Sequence, residues 1–257
     1  MALGAWVIAI LLFLFVPIII TLVYAFNSSH IQSWPIAGFT LKWFGATVHN
    51  SEVASSLGLS LKAALVSTAI AVLLGSAAAF AVHRFRFFGR EVVSFVVVLP
   101  LALPGIITGM ALNSFFVASG ISLSLWTIVI GHATFCIVIV YNNVLARLRR
   151  VSPSLTEASM DLGGDGFQTF GYVTLPVIST ALISGALLAF ALSFDEVIVT
   201  TFTAGAQNTL PLWIFGAIRL GQQLPEVNVV VFIVIAVTIV PVTISQRLMR
   251  ESGLLRH

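Results

Sequence analysis

Two adjacent carboxylates, Asp195 and Glu196, are the acidic residues that lie deepest in an apolar run of this sequence. A charged side chain at the centre of a lipid-facing helix costs about 2.5 to 3.5 kcal/mol, so both should face protein or water. On a continuous helix, Glu196 shares a polar stripe with Ser193, Thr200 and Thr203, whereas Asp195 lies on an apolar face. A cationic amine suits either carboxylate. We expect Glu196 to line a translocation path and Asp195 to act at a gate or between subunits; the alternative is a pair of acids at a helix end or paired with a second subunit.

Further polar residues within apolar runs are His132, Cys136 and Asn143, which share one helical face, and Asn113. No second histidine or carboxylate lies near them in sequence, so this face predicts hydrogen bonds between helices rather than a metal or proton site. Cys136 is the single cysteine, so neither an intrachain disulfide nor a metal-ligand cluster is expected.

Motifs of catalysis are missing from the sequence. It contains no GxxxxGKS/T loop, no HExxH and no GxSxG, which would indicate nucleotide binding, zinc-dependent hydrolysis and a serine nucleophile. We therefore expect no enzymatic activity, no metal and no cofactor in this chain.

The elements that position these residues are long and apolar. Hydrophobic residues make up 59% of the 257 residues and charged residues only 8%, against about a quarter in soluble domains. Several runs are long enough to cross a bilayer. The sequence predicts an all-α, polytopic membrane protein with one transmembrane domain over residues 1–257 and six spans, at about 5–26, 57–82, 92–118, 125–145, 177–202 and 227–249.

The third of these spans contains the sequence LPLALPGIITG. Pro100 and Pro104 each remove a backbone donor, so we expect a kink or an interruption between Pro100 and Gly109. The interruption serves either as a gate hinge, which would place Pro104 at the pathway, or only to allow close packing.

Aromatic residues near the predicted span ends are expected to form interfacial belts. These residues are Tyr24, Trp34, Trp43, Trp126 and Trp213. Residues 40–48 predict a short interfacial helix with Trp43 and Phe44 as its anchors.

The basic residues predict the orientation. One side of the membrane carries Arg84, Arg86, Arg90, Arg147, Arg149, Arg150, Arg247, Arg250 and Arg256, and the other carries only Lys42, Lys62 and Arg219. By the positive-inside rule the arginine-rich side is cytoplasmic, so both termini are expected there. The outer loops are then residues 27–56 and 203–226.

The longest of the predicted cytoplasmic loops is residues 147–176, here called the polar segment. Ser152 followed by Pro153 predicts the start of a helix, and Ser154 with Glu157 is an alternative capping box. One narrow, mostly apolar face of that helix is formed by Leu155, Ala158, Ser159 and Leu162, while Glu157 and Asp161 share another. Exposed apolar residues need a cover, which favours a docking helix over a solvated loop.

The second half of the polar segment has its own signals. Gly163 and Gly164 are expected to end the helix, because a left-handed residue after a helix favours glycine. Asp165 should cap a second piece in which Phe167 and Phe170 face one way. Pro176 should close that piece before the fifth span.

A family resemblance lies in this spacing. Glu157-Ala158, then Gly163, then Val173-x-Leu175-Pro176 resemble the EAA motif of ABC-importer permeases, with Ser159 and Val173 as mild departures. The sequences SFDEVIVTTFTAG, TLPLWIFGAIRLG and PEVN, which begin at residues 193, 209 and 225, are similar to the spermidine/putrescine type of these permeases. The likeness extends over essentially the whole chain.

The resemblance implies the fold of a type I importer permease in a bacterial inner membrane, carrying a small solute such as a polyamine. It further implies a second, homologous permease, two copies of a cytoplasmic ATPase that binds ATP and Mg, and an extracytoplasmic binding protein that meets the outer loops. The ATPase-coupling residues it implies are Glu157, Ala158, Ser159, Asp161, Leu162, Gly163, Phe167, Leu175 and Pro176.

Two other classes of function are the alternatives. A secondary transporter would use Asp195 or Glu196 as its ion site, but it leaves the polar segment without a role. An intramembrane enzyme has no supporting motif.

Overall fold

A computed structural model describes the backbone of residues 2–251 and the side chains of residues 3–239. This part of the chain is all-α apart from one isolated bridge between Asn27 and Phe39. The helices are α1 (Ala2–Tyr24), α2 (Lys42–His49), α3 (Ser51–Arg84), α4 (Arg90–Ala102), α5 (Gly105–Ala118), α6 (Leu125–Leu148), α7 (Pro153–Asp161), α8 (Gly166–Thr169), α9 (Leu175–Phe194), α10 (Ile198–Thr203), α11 (Leu210–Leu220) and α12 (Leu224–Glu251), with a π-helical turn at Phe170–Thr174 between α8 and α9.

Among the described residues, four helical stretches are long and apolar enough to cross a membrane. They are Leu3–Tyr24, Ser51–Arg84, Leu125–Leu148 and Gly166–Phe194, and α4 with α5 makes a fifth if that bent pair is one span. The apolar part of α12 is described only to Ile239, so the side chains of the last part of the predicted sixth span, residues 240–249, lie outside the described residues.

The predicted interruption of the third span is confirmed. Helices α4 and α5 meet at an angle of 105°, and Leu103 and Pro104 between them are extended. Pro104 has no N–H to donate, and it also disfavours the helical conformation at the residue before it. Pro100, by contrast, lies within α4, and Gly109 lies within α5.

The chain divides into two compact units. The first comes from the chain before Ser55 and after Leu212, and it contains α1, α2 and α12. Ala25, Trp43 and Val229 form its buried cluster, with Phe232 packed against them. The Trp43 indole N–H donates to the Asn27 carbonyl at 2.8 Å.

Two aromatic predictions fail in this first unit. Trp43 and Trp213 are only 7% and 6% exposed, so neither is an interfacial anchor. Each indole has a protein partner, which for Trp213 is the Glu52 carboxylate at 3.4 Å. The α12 end of this unit is tied to the chain near α2, because the Asn50 amide donates to Glu226 at 2.6 Å.

The second unit, residues 55–212, is built around α6. Most of α6 is buried, and it packs against α4, α5, α9 and α10. Its core combines Tyr141, Val144 and Leu148 with Ile178 and Ala189 of α9. Small residues bring the helices together, since the position of a Cβ at Gly185 is 3.3 Å from the Val140 Cα.

Two element boundaries differ from the sequence prediction. Helix α3 begins at Ser51, within the predicted loop 27–56, and α11 occupies Leu210–Leu220 of the predicted loop 203–226. The Leu210 N–H is held by the Ser60 hydroxyl at 2.8 Å. Contacts of this kind are distant in sequence, so local composition does not reveal them.

Candidate functional site

The first half of the polar segment folds as its caps predict. Ser152 is the N-cap of α7, Pro153 is the first helical residue, and the Ser152 hydroxyl accepts from the Ser154 N–H. The alternative cap at Ser154 is therefore not used. Glu157 and Asp161 are exposed on this helix.

A tight reversal follows α7. Gly163 has φ of +85°, in the left-handed region that favours glycine. The Gly164 N–H donates to the Ser159 carbonyl at 3.0 Å, and a Cβ at Gly164 would be 2.9 Å from that same oxygen. The Ser159 and Thr169 hydroxyls bond at 2.9 Å and fasten α7 to α8. Ser159, a departure from the EAA pattern, thus supports the turn.

The second piece begins at the predicted cap. The Asp165 carboxylate accepts from the Gln168 N–H at 2.8 Å, and the Gln168 side chain accepts from the Asp165 N–H at 3.0 Å. The prediction that Phe167 and Phe170 face one way is wrong. Phe170 packs edge-on against Phe80, 5.3 Å between ring centroids, whereas Phe167 is 91% exposed.

An apolar surface is exposed on the polar segment. Leu162 and Phe167 are each 91% exposed, Tyr172 is 82% exposed and Leu155 is 46% exposed. A hollow of about 460 Å³ is lined by the predicted α7 face together with residues after the turn, namely Leu155, Ala158, Ser159, Leu162, Gly163, Gly164, Gln168, Tyr172 and Val173. A soluble protein rarely leaves such residues uncovered unless they bind a partner.

The polar segment continues without a break into the fifth span. The helical stretch runs from Gly166 to Phe194, so the prediction that Pro176 closes the second piece is wrong. Pro176 lies in the first turn of α9, where a missing N–H is tolerated, and the π-helical turn precedes it. The Arg147 guanidinium also donates to the Val177 carbonyl at 3.0 Å, which ties the end of α6 to this helix.

The fifth span ends at the two carboxylates. Helix α9 stops at Phe194, Asp195 follows it, and α10 begins only at Ile198. The predicted continuous helix is therefore wrong, and so is the helical stripe through Glu196 that depended on it. Instead, a Glu196 carboxylate oxygen accepts from the Val199 N–H at 2.9 Å and caps α10. Asp195 is exposed and Glu196 is half-buried.

His132 bridges the two sides of this break. Its Nδ1 is 2.7 Å from the Ser193 hydroxyl in α9, and its Nε2 is 2.8 Å from the Thr200 hydroxyl in α10. All three side chains are buried. Thr203, also buried, bonds the Val199 carbonyl of its own helix.

The predicted hydrogen bonding between helices is confirmed for three of four polar residues. Besides His132, the Cys136 thiol donates to the Ala189 carbonyl at 3.3 Å, and the Asn113 amide donates to the Phe202 carbonyl at 2.7 Å. Asn143 is the exception, because its amide donates to the Ile139 carbonyl of its own helix.

The break in the third span lies beside the break in the fifth. A Cβ at Gly105, next to Pro104, would be 3.6 Å from the Ile198 side chain at the start of α10. Sequence reasoning did not connect these two breaks, since residues 105 and 198 are far apart in the chain. No group of three or more metal-ligating side chains occurs among the described residues.

These features define a class of protein, namely a polytopic helical membrane protein. Its polar segment exposes an apolar surface and leads directly into a span that is broken at Asp195 and Glu196. Residues 71–251 match the profile of a family described as binding-protein-dependent transport system inner membrane component. The chain belongs to this family, as the EAA spacing predicted. It is a permease component of such a system.

Two relatives that are similar to this chain over most of its length are permease proteins of polyamine transport systems. The putrescine transport system permease protein PotI of Escherichia coli K12 is 38% identical over 236 residues, which cover 87% of this chain and 83% of PotI. The spermidine/putrescine transport system permease protein PotC of the same strain is 34% identical over 250 residues, covering 96% of this chain and 94% of PotC.

Solved structures share the fold. A bacterial ABC transporter involved in import of the acidic polysaccharide alginate has a chain with a TM-score of 0.69 at 18% identity, covering 95% of both chains. An amino acid ABC transporter gives a TM-score of 0.61 at 16% identity, covering 83% of this chain and all of that one.

Proposed function

We propose that this chain forms half of a translocation pathway for a polyamine such as putrescine or spermidine, with residues 1–257 acting as one permease domain. Two full-length relatives are named for transport of these solutes. Polyamines are cations with little affinity for an apolar pathway, so the carboxylates Asp195 and Glu196 at the broken fifth span are the groups suited to meet them.

The observation that carries the coupling proposal is the exposed apolar surface of the polar segment. Leu155, Leu162 and Phe167 form a ligand for a groove in a cytoplasmic ATPase, and the acidic Glu157 beside them suits a basic residue of that groove. Since one helical stretch joins Gly166 to Phe194, a displacement of the docked segment moves the end of α9. ATP and Mg are then bound by the ATPase, and this chain needs no cofactor.

Other partners follow from the same proposal. A second, homologous permease supplies the other half of the pathway, two ATPase copies dock on the two polar segments, and an extracytoplasmic binding protein delivers the solute to the outer loops. Helix α4 has no fully buried residue, so the apolar faces that do not pack against α6 are available for the second permease or for lipid. The positive-inside rule supports a cytoplasmic location for the arginine-rich loops and both termini in this proposal.

Within the pathway, the proposed roles separate by exposure. Glu196 contacts the cation, and the exposed Asp195 acts at the gate or between the permeases. Ser193 and Thr200 are buried on His132, so they support the carboxylates rather than touch the solute. Pro104 sets the neighbouring break in the third span.

The test is uptake of radiolabelled putrescine by cells that express the complete transporter and lack other polyamine uptake. Glu196→Gln should lower uptake while leaving co-purification with the other subunits intact, and the matched change Glu91→Gln at the exposed start of α4 should have little effect. Unchanged uptake by Glu196→Gln would remove the proposed role of Glu196. Uptake by this chain alone, abolished by an ionophore, would instead identify an ion-driven transporter.

A further inference from the structure

His132 is placed to control the broken fifth span from a neighbouring helix. It lies in α6 and is 1% exposed. Helix α6 approaches α10 closely at the preceding residue, since a Cβ at Gly131 would be 3.0 Å from a Val199 methyl carbon. The imidazole reaches Ser193 in the last turn of α9 and Thr200 in the first turn of α10. One side chain thus holds both ends of the non-helical residues 195–197.

The neighbouring hydrogen bonds assign the direction of each contact. The Thr200 hydroxyl has one hydrogen, and its oxygen is 2.7 Å from the Glu196 carbonyl, which only accepts. Thr200 therefore accepts from His132, so the imidazole proton is on Nε2 and Nδ1 accepts from the Ser193 hydroxyl. The chain of donors runs from Ser193 through His132 and Thr200 to the Glu196 carbonyl. With this assignment both ring nitrogens are satisfied by a neutral imidazole, as burial requires.

We propose that His132 is a positioning residue for Glu196, acting through Thr200. Residue 196 is held at two points: its carbonyl accepts from the Thr200 hydroxyl, and its carboxylate accepts from the Val199 N–H. Without His132, Thr200 loses its donor, and the bond from the Thr127 hydroxyl to the Thr203 carbonyl is what still links α6 to α10 through polar groups. The position of the Glu196 carboxylate then becomes variable. This inference rests on the proposed role of Glu196 in meeting a cationic amine.

The same arrangement connects movement of the polar segment to the position of the Glu196 carboxylate. Ser193 moves with α9, and α9 is continuous with the polar segment, whereas Thr200 belongs to α10 on the other side of the break. A displacement of α9 along α6 therefore breaks the Ser193 contact while the Thr200 contact keeps Glu196 in place. His132 makes the carboxylate independent of the moving helix.

The experiment compares Thr200→Val with Thr201→Val in the complete transporter, using radiolabelled putrescine. The two substitutions are identical and adjacent in α10, but Thr201 is exposed and its hydroxyl bonds only the Val197 carbonyl. Thr200→Val removes the bonds to His132 and to the Glu196 carbonyl, and the loss of the bond that holds residue 196 should raise the KM for uptake by roughly two- to tenfold. Thr201→Val should remain near wild type. Equal effects of the two substitutions would overturn the proposal.

A double-mutant cycle separates positioning from a merely structural role. If Thr200 acts through Glu196, Thr200→Val should add little to the defect of Glu196→Gln. Additive effects would overturn this inference alone. Unchanged uptake by Glu196→Gln would overturn the proposed role of Glu196 and this inference together.

A second readout does not depend on transport. In Asp195→Cys, the rate of maleimide labelling reports how well residues 195–197 are held, and the buried Cys136 serves as the unreactive background. Adding Thr200→Val or His132→Leu should raise this rate by about two- to tenfold, whereas adding Thr201→Val should not. An unchanged rate in the Thr200→Val and His132→Leu variants would overturn the proposal even if their uptake is lost.

Discussion

An added methyl group at Gly75 should force two packed helices apart. Gly75 is buried where α3 crosses α6, and a Cβ there would be 2.8 Å from the Ile137 carbonyl oxygen and 3.1 Å from the Tyr141 nitrogen. Both atoms belong to the backbone of α6, so no side-chain rotation relieves the contact. Restoring an ordinary carbon–oxygen distance of about 3.3 to 3.6 Å requires the two helices to separate by about 0.5 to 0.8 Å.

That separation sets the expected loss of stability. Forcing extra volume into a packed interface costs typically about 1 to 3 kcal/mol, and the α3–α6 crossing borders the buried cluster that contains Tyr141 and Val140. Replacing glycine with alanine in a helix otherwise stabilises it by roughly 0.5 to 1 kcal/mol. After this helical gain is subtracted, Gly75→Ala should be destabilising by about 0 to 2.5 kcal/mol, with a central value of about 1 kcal/mol.

Gly58 provides the matched control in the same helix. A Cβ at Gly58 meets no atom within 4 Å, so Gly58→Ala should be neutral or slightly stabilising. The assay is thermal unfolding of each purified variant in detergent, followed by the amount that still elutes at the native size after heating. A midpoint for Gly75→Ala equal to or above that of Gly58→Ala would refute the reasoning about the crossing.

Two further predictions concern the polar segment and the orientation. Gly163→Ala should lower solute-stimulated ATP hydrolysis by the assembled transporter severalfold, since an alanine at φ of +85° costs about 1 to 2 kcal/mol. The control Gly171→Ala, where a Cβ has open space, should retain this ATPase activity. Equal ATPase rates for the two variants would contradict the coupling role of the turn. A cysteine at the fully exposed Phe88 should react with an impermeant maleimide only in inside-out vesicles, and a cysteine at the exposed Ile121 only in intact cells with a permeable outer layer. The reverse pattern would invert the orientation.

The polar segment was predictable because its signals are local. An N-cap such as Ser152, a capping box such as Asp165 with Gln168 and a left-handed residue such as Gly163 act within one helical turn, so neighbouring residue types decide them. The break at Pro104 has the same character, because a missing donor acts on its own helix. The family followed from the spacing of these local features.

The sequence drew attention to Asp195 and Glu196, but it did not give the geometry around these two carboxylates. The apolar sequence around Asp195 and Glu196 is compatible with an unbroken helix, and it contains neither proline nor glycine at the break. The partners on either side of the break come from other helices: His132 binds the hydroxyls of Ser193 and Thr200, and Asn113 binds the Phe202 carbonyl near the end of α10. The polar stripe predicted through Glu196 was wrong because it assumed a continuous helix, whereas α9 and α10 are separate helices.

The sequence by itself determined that this chain is a helical membrane permease with an EAA segment, because hydropathy, charge and cap residues act over short distances. Only the tertiary structure decided that Trp43 and Trp213 are buried, that Phe170 packs against Phe80 while Phe167 is almost fully exposed, and that Pro176 lies inside a continuous helical stretch instead of ending one. It also decided that His132 spans the break beside Glu196. Each of these depends on which distant side chain fills a space or supplies a hydrogen bond, and that is settled by packing between helices.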